Sequence, residues 1–441
     1  MIKNFKCIKS LEIELAPLTI FVGPNGSGKS SILEALALMS QSIVRNEKIE
    51  NAVKGELVDY DGFGSIVCGG IKKEVFSLGI KMDVKAEEIR KYIKKDIEEF
   101  SHEMRIKEPY SKAYLDFLGR LCLEKDTVEV SYTYSTNIDR SIFEHSYSVC
   151  GQRIAYKYEK EKGEICEPRE LYLSEYSGFP PMLRVATYLS NFSDGLAYSF
   201  KKRLSNVYYL SAERGSIPWI YEAQSSERRR WVGRRGEYTL EVLAELMKPA
   251  NDEKRLPYEL FCEKFGIKYA WAGWESRNIL TSNYRDPYLM SSHKFPSLGY
   301  GSRQLLPVIV QLAYSDPGSV ILVEEPEISL HPSYQRLLPA LFGRAVNEGK
   351  QILVTTHSSY FPLSLNIVLE GYKLEGQTTR GWRSYEIKVS VNDIAIYHVE
   401  RGRDGYTKVK RIKLDRKGLK EGIPSFIEVE NDILKGFMAK E

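Results

Sequence analysis

The 441-residue chain lacks several features that mark particular classes of protein. Its six cysteines include no CxxC pair, which excludes a zinc ribbon, and their scatter does not suit a disulfide scaffold. No apolar run approaches the ~20 residues that cross a bilayer. The basic first residues lead into a strand pattern instead of a signal-peptide core. We therefore expect a cytoplasmic protein with reduced thiols and no membrane insertion.

An excess of one charge is also missing, because 63 Lys and Arg residues face 59 Asp and Glu residues, a formal net charge of +4. So small an excess neither requires nor excludes a nucleic-acid partner. The sequence has no internal repeat, low-complexity tract or sustained heptad pattern. A hydrophobic fraction of 43% supplies a substantial core and excludes intrinsic disorder. The length suits two or three domains, or one large domain with insertions.

What the chain does contain is two segments typical of an α/β protein. In the first, Leu18–Val22 is almost continuously apolar, as expected of a strand buried on both faces, and a glycine-rich turn and a helix follow. The second segment predicts a helix at 303–314, a strand at 319–323, a helix at 332–346 and a strand at 351–355. This order indicates a parallel sheet with right-handed crossovers.

Other parts of the chain alternate apolar and polar side chains, which predicts antiparallel strands with one wet face. A charged helical pattern interrupts them at 86–121, a short strand is predicted at 207–210, and a helix is predicted at 237–247. These stretches are 75–84, 127–135, 141–149 and 154–158. Two further alternating stretches lie at 384–391 and 394–400.

The glycine-rich turn carries the first chemical signal. Residues 23–30 fit the pattern G-x-x-x-x-G-K-[ST] between a predicted strand and a predicted helix. The glycines let backbone N–H groups approach phosphate oxygens, and the helix N-terminus adds a positive dipole. Lys29 would reach the β and γ phosphates, and the Ser30 hydroxyl would bind Mg²⁺. The predicted nucleotide-binding residues are Gly23, Pro24, Asn25, Gly26, Ser27, Gly28, Lys29, Ser30 and Ser31. The alternative is a glycine turn that matches by accident.

Two carboxylates, Glu324 and Glu325, follow the predicted strand at 319–323, at the edge where an open parallel sheet binds ligands. Alternation along a strand puts them on opposite sides. One could then hold a metal-bound water while the other faces the attacking water. A strand that ends in solvated acids is the alternative.

A histidine and a glycine turn add weaker signals. His357 follows the next buried strand, where it could donate to a γ-phosphate or be a structural side chain. Residues 298–304, Leu-Gly-Tyr-Gly-Ser-Arg-Gln, open a helix before the carboxylates. Any helix can begin in this way, so the turn is uninformative alone.

Taken in order, these motifs resemble the ATP-binding-cassette type of ATPase head, in the branch that contains the SMC, RecF and OLD proteins. The opening Ile2-Lys3-Asn4-Phe5-Lys6 and the stretch 325–332, Glu-Pro-Glu-Ile-Ser-Leu-His-Pro, are characteristic of that branch. The segments 209–214 and 232–237 resemble a stand-alone prokaryotic "AAA family" ATPase group, and 397–437 resembles a small C-terminal domain of unknown function. The resemblance covers most of the chain and is weakest over 41–206.

This resemblance implies an α/β P-loop NTPase fold with an ABC-type head. It would contain a mixed central parallel sheet, an antiparallel β-subdomain and a helical insertion. Residues 1–45 would form the N-terminal part of the ATPase core, with the P-loop, and 46–205 an insertion of antiparallel strands and helices. Residues 206–365 would form the C-terminal part of the core, and 366–441 a small C-terminal subdomain.

The resemblance also implies roles for single residues. Glu325 would polarise the attacking water, His357 would be the γ-phosphate switch, and Lys29 would complete the catalytic group. Ser30 and Glu324 would hold Mg²⁺. Gly301 and Ser302 would contact the nucleotide of a partner subunit, which implies a head-to-tail homodimer with two buried ATP molecules.

The chain departs from the family pattern at three places. Arg303 replaces a small residue, so it would act either as a trans charge on the γ-phosphate or as a helix-surface arginine. Glu324 stands where many relatives carry Asp, a change seen in the OLD-like branch. The usual glutamine loop has no assignment, since Gln41 is too close to the P-loop and 61–65 is a guess.

Several other signals do not support a function. His102-Glu103 begins an HExxH pattern, but residue 106 is Ile, so no zinc protease helix is predicted. Asp59-Tyr60-Asp61 is a DxD triplet of the kind found in the Toprim nuclease domain of OLD proteins, yet that domain follows the ATPase core, so a turn is the better interpretation. The basic clusters at 201–203, 228–230 and 234–235 could meet a phosphate backbone or form a solvated face.

The sequence therefore predicts Mg²⁺-dependent ATP binding and hydrolysis, with ATP-driven dimerisation coupled to DNA or to a separate effector protein. One alternative is the ATP-binding subunit of a transporter, although such subunits are shorter and carry Ser-Gly-Gly-Gln. Another is a regulatory ATPase partner of a separate nuclease or toxin.

Overall fold

The computed structural model describes residues 1–70, 74–87, 127–139, 141–149, 152–160, 163–167, 199–215, 217–218, 221–222, 229–276, 278–286, 289 and 291–429. It divides into two compact units. The first unit contains Met1–Glu12 and Leu38–Ser205, and the second contains Ile13–Ala37 and Asn206–Glu441. The predicted helical pattern at 86–121 lies almost wholly outside the described residues.

The described strands, in chain order, are β1 (Ile2–Phe5), β2 (Ile8–Leu11), β3 (Leu18–Val22), β4 (Phe76–Lys85), β5 (Thr127–Thr136), β6 (Ile142–Val149), β7 (Gln152–Glu159), β8 (Gly163–Glu167), β9 (Val207–Leu210), β10 (Tyr221–Glu222), β11 (Lys268–Trp274), β12 (Ile279–Arg285), β13 (Ser292–His293), β14 (Val320–Glu324), β15 (Gln351–Thr356), β16 (Tyr372–Thr378), β17 (Gly381–Ile387), β18 (Ile394–Arg401), β19 (Thr407–Ile412), β20 (Leu414–Asp415) and β21 (Gly418–Leu419).

The described α-helices are α1 (Lys29–Arg45), α2 (Phe63–Ile66), α3 (Thr239–Leu246), α4 (Asp252–Lys264), α5 (Tyr300–Tyr314), α6 (Pro332–Gln335), α7 (Leu338–Asn347), α8 (Tyr360–Leu363) and α9 (Asn366–Glu370). Short 3₁₀ turns lie at Cys68–Gly70, Pro249–Asn251, Phe295–Ser297 and Val391–Asp393. Within the described residues, no helix combines the length and the apolar character needed to cross a membrane.

The first unit is built on one antiparallel sheet in the order β2-β1-β4-β5-β6-β7-β8. β4 and β5 pair from Phe76 opposite Thr136 to Lys85 opposite Thr127. Alternate residues of β5 are buried, namely Val128, Val130, Tyr132 and Tyr134. Because successive side chains of a strand point to opposite faces, the alternation in the sequence predicted this antiparallel sheet correctly.

The second unit contains a six-stranded mixed sheet in the order β19-β18-β3-β15-β14-β9. The four junctions from β18 to β9 are parallel, and β19 alone runs antiparallel to its neighbour. Every residue of β3 and β14 is buried, as their continuous apolar runs predicted. The predicted α/β fold with a mixed central sheet is therefore confirmed.

The strands near the two chain termini join sheets that the predicted domain boundaries at residues 45 and 366 did not indicate. β1 and β2 belong to the antiparallel sheet of the first unit. β18 pairs with β3 over Ile394 to His398 and extends the central sheet of the second unit. The first six residues of β18 are all buried, so the alternating pattern assigned to 394–400 is wrong; Ile-Ala-Ile-Tyr-His-Val is apolar enough to be covered on both sides.

The helix predicted at 332–346 is divided in the structure. α6 ends at Gln335 and α7 begins at Leu338, with Pro339 in its first turn. Proline has no backbone N–H to donate and clashes with the preceding turn, so it suits a helix start and not a helix interior.

Among the described cysteines, Cys262 is a buried thiol that takes part in no disulfide.

Candidate functional site

Three neighbouring strands of the second unit end at one edge of the sheet. β3 leads through residues 23–28 into α1, β14 ends at Glu324, and β15 ends one residue before His357. The register pairs Val22 with Thr356 and Glu324 with Thr355. Because these strands are parallel and in register, their carboxyl ends bring the loop, the two acids and the histidine together.

The loop before α1 is shaped by close backbone contacts. A Cβ atom on Gly23 would lie 2.0 Å from the Val399 carbonyl oxygen of β18, so only glycine fits there. Gly28 adopts a φ of 104°, a left-handed conformation that glycine accepts without strain. The helix N-terminus that follows directs unpaired backbone N–H groups toward the loop, which is the arrangement that binds anions.

Residues from β18 and β19 brace this loop. The Arg401 Nε donates to the Gly26 carbonyl oxygen at 2.7 Å. The Thr407 hydroxyl donates to the Ser27 carbonyl oxygen at 2.9 Å. Sequence reasoning missed both residues, because they lie more than 370 positions away along the chain.

Lys29 is the cation of the site and is 4% exposed. Its Nζ donates to the carbonyl oxygens of Gly23 at 3.0 Å and Pro24 at 2.9 Å, and lies 3.5 Å from His357 Nδ1. Burial lowers the pKa of Lys29 to about 8, although the nearby carboxylates oppose this shift. Lys29 therefore stays mostly protonated at neutral pH.

Glu325 and His357 are in contact, with 2.8 Å between Oε1 and Nε2. The hydrogen bond from His357 holds the pKa of Glu325 below its usual value. A neutral imidazole with its proton on Nε2 would satisfy both neighbours, donating to Glu325 and accepting from Lys29. The structure thus brings the three predicted catalytic residues into one chain of contacts.

Glu324 points away from this group and is 7% exposed. Its Oε2 accepts from the Ala212 N–H at 3.1 Å, while its Oε1 is buried and makes no hydrogen bond within the described part of the chain. A free, buried carboxylate oxygen suits a hard cation. Mg²⁺ usually takes one or two protein ligands and completes its shell with water and phosphate oxygens. Glu324 therefore fits the predicted metal role, and Ser30, its predicted partner, is the second residue of α1.

No larger metal site competes with this one in the described ranges, where no group of three or more His, Cys, Asp or Glu side chains is placed to hold a metal ion. The DxD triplet thus belongs to no such group, and its Asp59 and Asp61 side chains are both exposed. The His102-Glu103 pair lies outside the described residues.

The predicted signature residues open α5. A Cβ atom on Gly301 would lie 2.4 Å from the Ser329 carbonyl oxygen, so glycine is required for this packing. Ser302 is half-buried, and the Arg303 guanidinium lies 5.7 Å from the Tyr300 ring. Among the described residues, no hydrogen bond or ion pair joins these side chains to Lys29, Glu325 or His357. The structure does not bring them into the group formed by those three residues.

Arg214 is a fully buried residue that sequence reasoning did not single out. Its guanidinium donates to the carbonyl oxygens of Gln304 (3.1 Å), Ser211 (2.5 Å), Glu325 (2.9 Å) and Glu324. Burial lowers its pKa to about 10, and the charges of the nearby glutamates oppose that shift. Arg214 therefore ties the end of β14 to the N-terminal part of α5, and the resemblance of the segment 209–214 gave it no role.

Glu327 is a second residue without a predicted role, although it lies in the characteristic stretch 325–332. Its Oε1 accepts from the Thr356 hydroxyl at 2.7 Å, the His357 N–H at 2.7 Å and the Ser358 N–H at 3.2 Å. Burial raises the pKa of this carboxyl, although those hydrogen bonds oppose the shift. Glu327 therefore fixes the backbone turn that carries His357.

The glutamine loop stays without an assignment, but one candidate has a structural role. Gln41 is buried in the first unit, where its amide donates to the Ala52 and Val58 carbonyl oxygens and accepts from the Leu57 N–H. In the six-stranded sheet of the second unit, the loop that follows β9 contacts Glu324 through the Ala212 N–H.

Arg229, from the basic cluster at 228–230, contacts other side chains of the protein. Arg229 lies 3.8 Å from Glu241 and 4.1 Å from the Tyr238 ring. These contacts favour a structural role for Arg229 over a phosphate-binding surface. The three residues of the cluster at 201–203 are all exposed.

Two protein families match separate parts of the chain. The family "AAA ATPase domain" matches residues 1–176, and the family "AAA domain, putative AbiEii toxin, Type IV TA system" matches residues 288–364. The first match includes the loop at 23–30, and the second includes Gly301, Glu325 and His357.

A curated relative matches a short segment. An OLD nuclease of Thermus scotoductus is 50% identical over 38 residues, which is 9% of this chain and 7% of the nuclease. The match thus covers only a small part of that relative's length.

Solved structures of SMC heads match at low similarity. A SmcHead bound to the C-winged helix domain of ScpA has a TM-score of 0.47 at 15% identity, covering 94% of this chain and 97% of that one. The SMC head domain of Thermotoga maritima has a TM-score of 0.39 at 11% identity and the same coverage. A Pyrococcus furiosus Smc head has a TM-score of 0.44 at 12% identity, covering 98% of both chains. With TM-scores below 0.5, the fold argument rests on the sheet order and loop placement given above.

Proposed function

We propose that this chain is an AAA/SMC/OLD-like ATPase that binds ATP with Mg²⁺ at the loop before α1 and hydrolyses the ATP, a proposal that the two family matches and the OLD nuclease segment support. The observation that carries this proposal is the contact chain from Lys29 through His357 to Glu325. It places a cation, a hydrogen-bond donor and a carboxylate at the end of three parallel strands, beside a helix N-terminus suited to phosphate.

Each residue has a task in phosphoryl transfer. Lys29 would bind β- and γ-phosphate oxygens in place of the carbonyl oxygens of its own loop. Glu325, kept ionised by His357, would orient and polarise the attacking water. His357 would donate from its ring to the γ-phosphate. Mg²⁺, held by Ser30 and Glu324, would neutralise charge on the phosphates when bound.

We also propose that the active form is a head-to-tail homodimer. Gly301 and Ser302 lie in the first turn of α5 and have no contact with the Lys29 group in the described residues. They would instead complete the site of a second copy, with Arg303 as an added positive charge. Arg214 would transmit the position of α5 to Glu325 through its backbone contacts.

The test uses Glu325→Gln, with Glu370→Gln as the matched control because Glu370 is exposed at the end of α9. Glu325→Gln should lower ATP turnover about 10²- to 10⁴-fold, since the carboxylate that polarises water is lost. ATP affinity in calorimetry should be retained, and light scattering should show a trapped dimer. Lys29→Ala should abolish ATP affinity.

Two outcomes would contradict the proposal. Unchanged ATP affinity in Lys29→Ala would reject the nucleotide site at the loop. A monomer at saturating ATP in Glu325→Gln would reject the dimer. Turnover with and without double-stranded DNA at two salt concentrations then tests the coupling to DNA, since stimulation by phosphate contacts should fade with salt.

A second candidate function is that of a regulatory ATPase whose effector is a separate nuclease or toxin. It is favoured by the family match at 288–364, whose description names a toxin of a type IV toxin–antitoxin system. Turnover that ignores DNA but responds to a copurified protein would support this candidate.

A further inference from the structure

The small sheet of the second unit presents an unusual outer surface. This sheet has the order β10-β12-β11, with β13 paired to β12. Its inner side chains are buried beside α3 and α4, namely Ala270, Ala272, Leu280, Ser282 and Tyr284. We call its other side the aromatic face, formed by Tyr269, Trp271, Gly273, Thr281, Asn283 and Arg285.

Two large rings on this face are accessible. Tyr269 is 39% exposed and Trp271 is 42% exposed, whereas tryptophan is usually highly buried. A Cβ atom on Gly273 would lie 2.4 Å from Trp271 Cζ2. The indole therefore lies along the strand over Gly273 instead of standing out from the sheet, and it presents one side of the ring to solvent.

Cations surround these rings. The Lys268 Nζ lies 5.5 Å and the Arg285 Cζ 5.6 Å from the centre of the Tyr269 ring. The Lys294 ammonium donates to the Thr281 hydroxyl. Lys268 pairs with Glu263 at 3.3 Å, but neither Arg285 nor Lys294 has a carboxylate partner within the described residues. The aromatic face thus carries two cations whose charge no described acid neutralises.

We propose that the aromatic face binds single-stranded nucleic acid. This proposal rests on the proposed coupling to DNA and specifies the form of nucleic acid that is bound. Unpaired bases would stack on Trp271 and Tyr269, while Arg285 and Lys294 would meet the phosphates. Bases of a duplex are already stacked on one another and cannot cover a ring that lies flat on a sheet. The charge complementarity favours this partner over a protein surface.

The test measures binding of a labelled oligothymidylate to the full chain by fluorescence anisotropy, at two salt concentrations and without ATP. Trp271→Ala should weaken binding about 10-fold or more, because stacking of one base is lost. Trp271→Phe should restore most of the affinity, since it keeps an aromatic ring. Trp382→Ala is the matched control, because Trp382 is 62% exposed on β17, which belongs to a different sheet.

Charge is tested by Arg285→Gln with Lys294→Gln, which should weaken binding and flatten its dependence on salt. Duplex DNA of the same length should bind more weakly than the single strand. The proposal is overturned if the oligonucleotide does not bind, if duplex binds as well, or if Trp382→Ala weakens binding as much as Trp271→Ala. It is also overturned if Trp271→Ala changes only self-association.

The outcome is separable from that of the ATPase proposal. Lys29→Ala should bind the oligonucleotide as the unmodified chain does in the absence of ATP. Oligonucleotide binding without ATP turnover would leave the aromatic face supported and reject the catalytic assignment. Normal ATP turnover in a chain that does not bind the oligonucleotide would support the catalytic assignment and reject the proposal for the aromatic face.

Discussion

Replacing Glu327 by alanine or by glutamine tests whether this buried carboxyl holds the turn that carries His357. Alanine removes the acceptor of three hydrogen bonds, two of them at 2.7 Å, from Thr356, His357 and Ser358. A buried donor without a partner costs about 1–3 kcal/mol, and water can reach the two half-buried N–H groups. We expect Glu327→Ala to lower the free energy of unfolding by about 2–4 kcal/mol.

Glutamine keeps an oxygen at the position of Oε1 and removes the buried charge. Its amide nitrogen would take the place of Oε2, which makes no hydrogen bond among the described residues, so the new N–H groups would lack an acceptor. Glu327→Gln should therefore cost less than Glu327→Ala, about 1–2 kcal/mol. Urea unfolding of the full chain measures both variants, and midpoints that shift equally would refute the argument that the acceptor oxygen is what matters.

The pH dependence gives this prediction a second test. Burial raises the folded-state pKa of Glu327 above the usual value of 4.5, so the folded chain binds this proton more tightly than the unfolded chain. The stability that the carboxyl contributes is thus present below pH 4.5 and is lost as the pH rises through the folded pKa. The stability of the unmodified chain relative to Glu327→Gln should fall over that window; a constant difference would contradict the raised pKa.

Two further predictions concern the same site. His357→Ala removes the hydrogen bond that lowers the pKa of Glu325, so the acid limb of residual turnover should move to higher pH in a single-turnover pH profile. An unmoved limb would mean that His357 does not set this pKa. Gly23→Ala should abolish ATP binding in calorimetry, because its Cβ would lie 2.0 Å from the Val399 carbonyl oxygen. In Gly26→Ala the added Cβ meets no atom within 4 Å, and the backbone strain at a φ of 72° should cost only about 1 kcal/mol. Equal losses of ATP binding in the two variants would therefore exclude the contact with Val399 as the cause.

Short-range patterns predicted much of the fold. The apolar run of β3, the glycines at 23–28 and the start of α1 are consecutive, so the sequence contains the whole strand-turn-helix unit. The continuous apolar strands β14 and β15 and the alternating β4 to β7 follow from the same local rule about which faces are covered. The alternating pattern assigned to β18 was wrong, since a local pattern could not show that both faces of this strand would be covered.

The sequence by itself determined the residues that can do chemistry here: a phosphate loop with Lys29, two consecutive carboxylates and a histidine, each at the end of a buried strand. Local backbone preferences and apolar periodicity are enough for that, because a strand end is a local event. Only the tertiary structure decided what holds these groups. Glu327 reaches the turn of His357 across about 30 positions, Arg214 joins β14 to α5 across about 110, and Arg401 braces Gly26 across 375. Those contacts depend on which strands become neighbours, a property of the whole sheet that no single segment encodes.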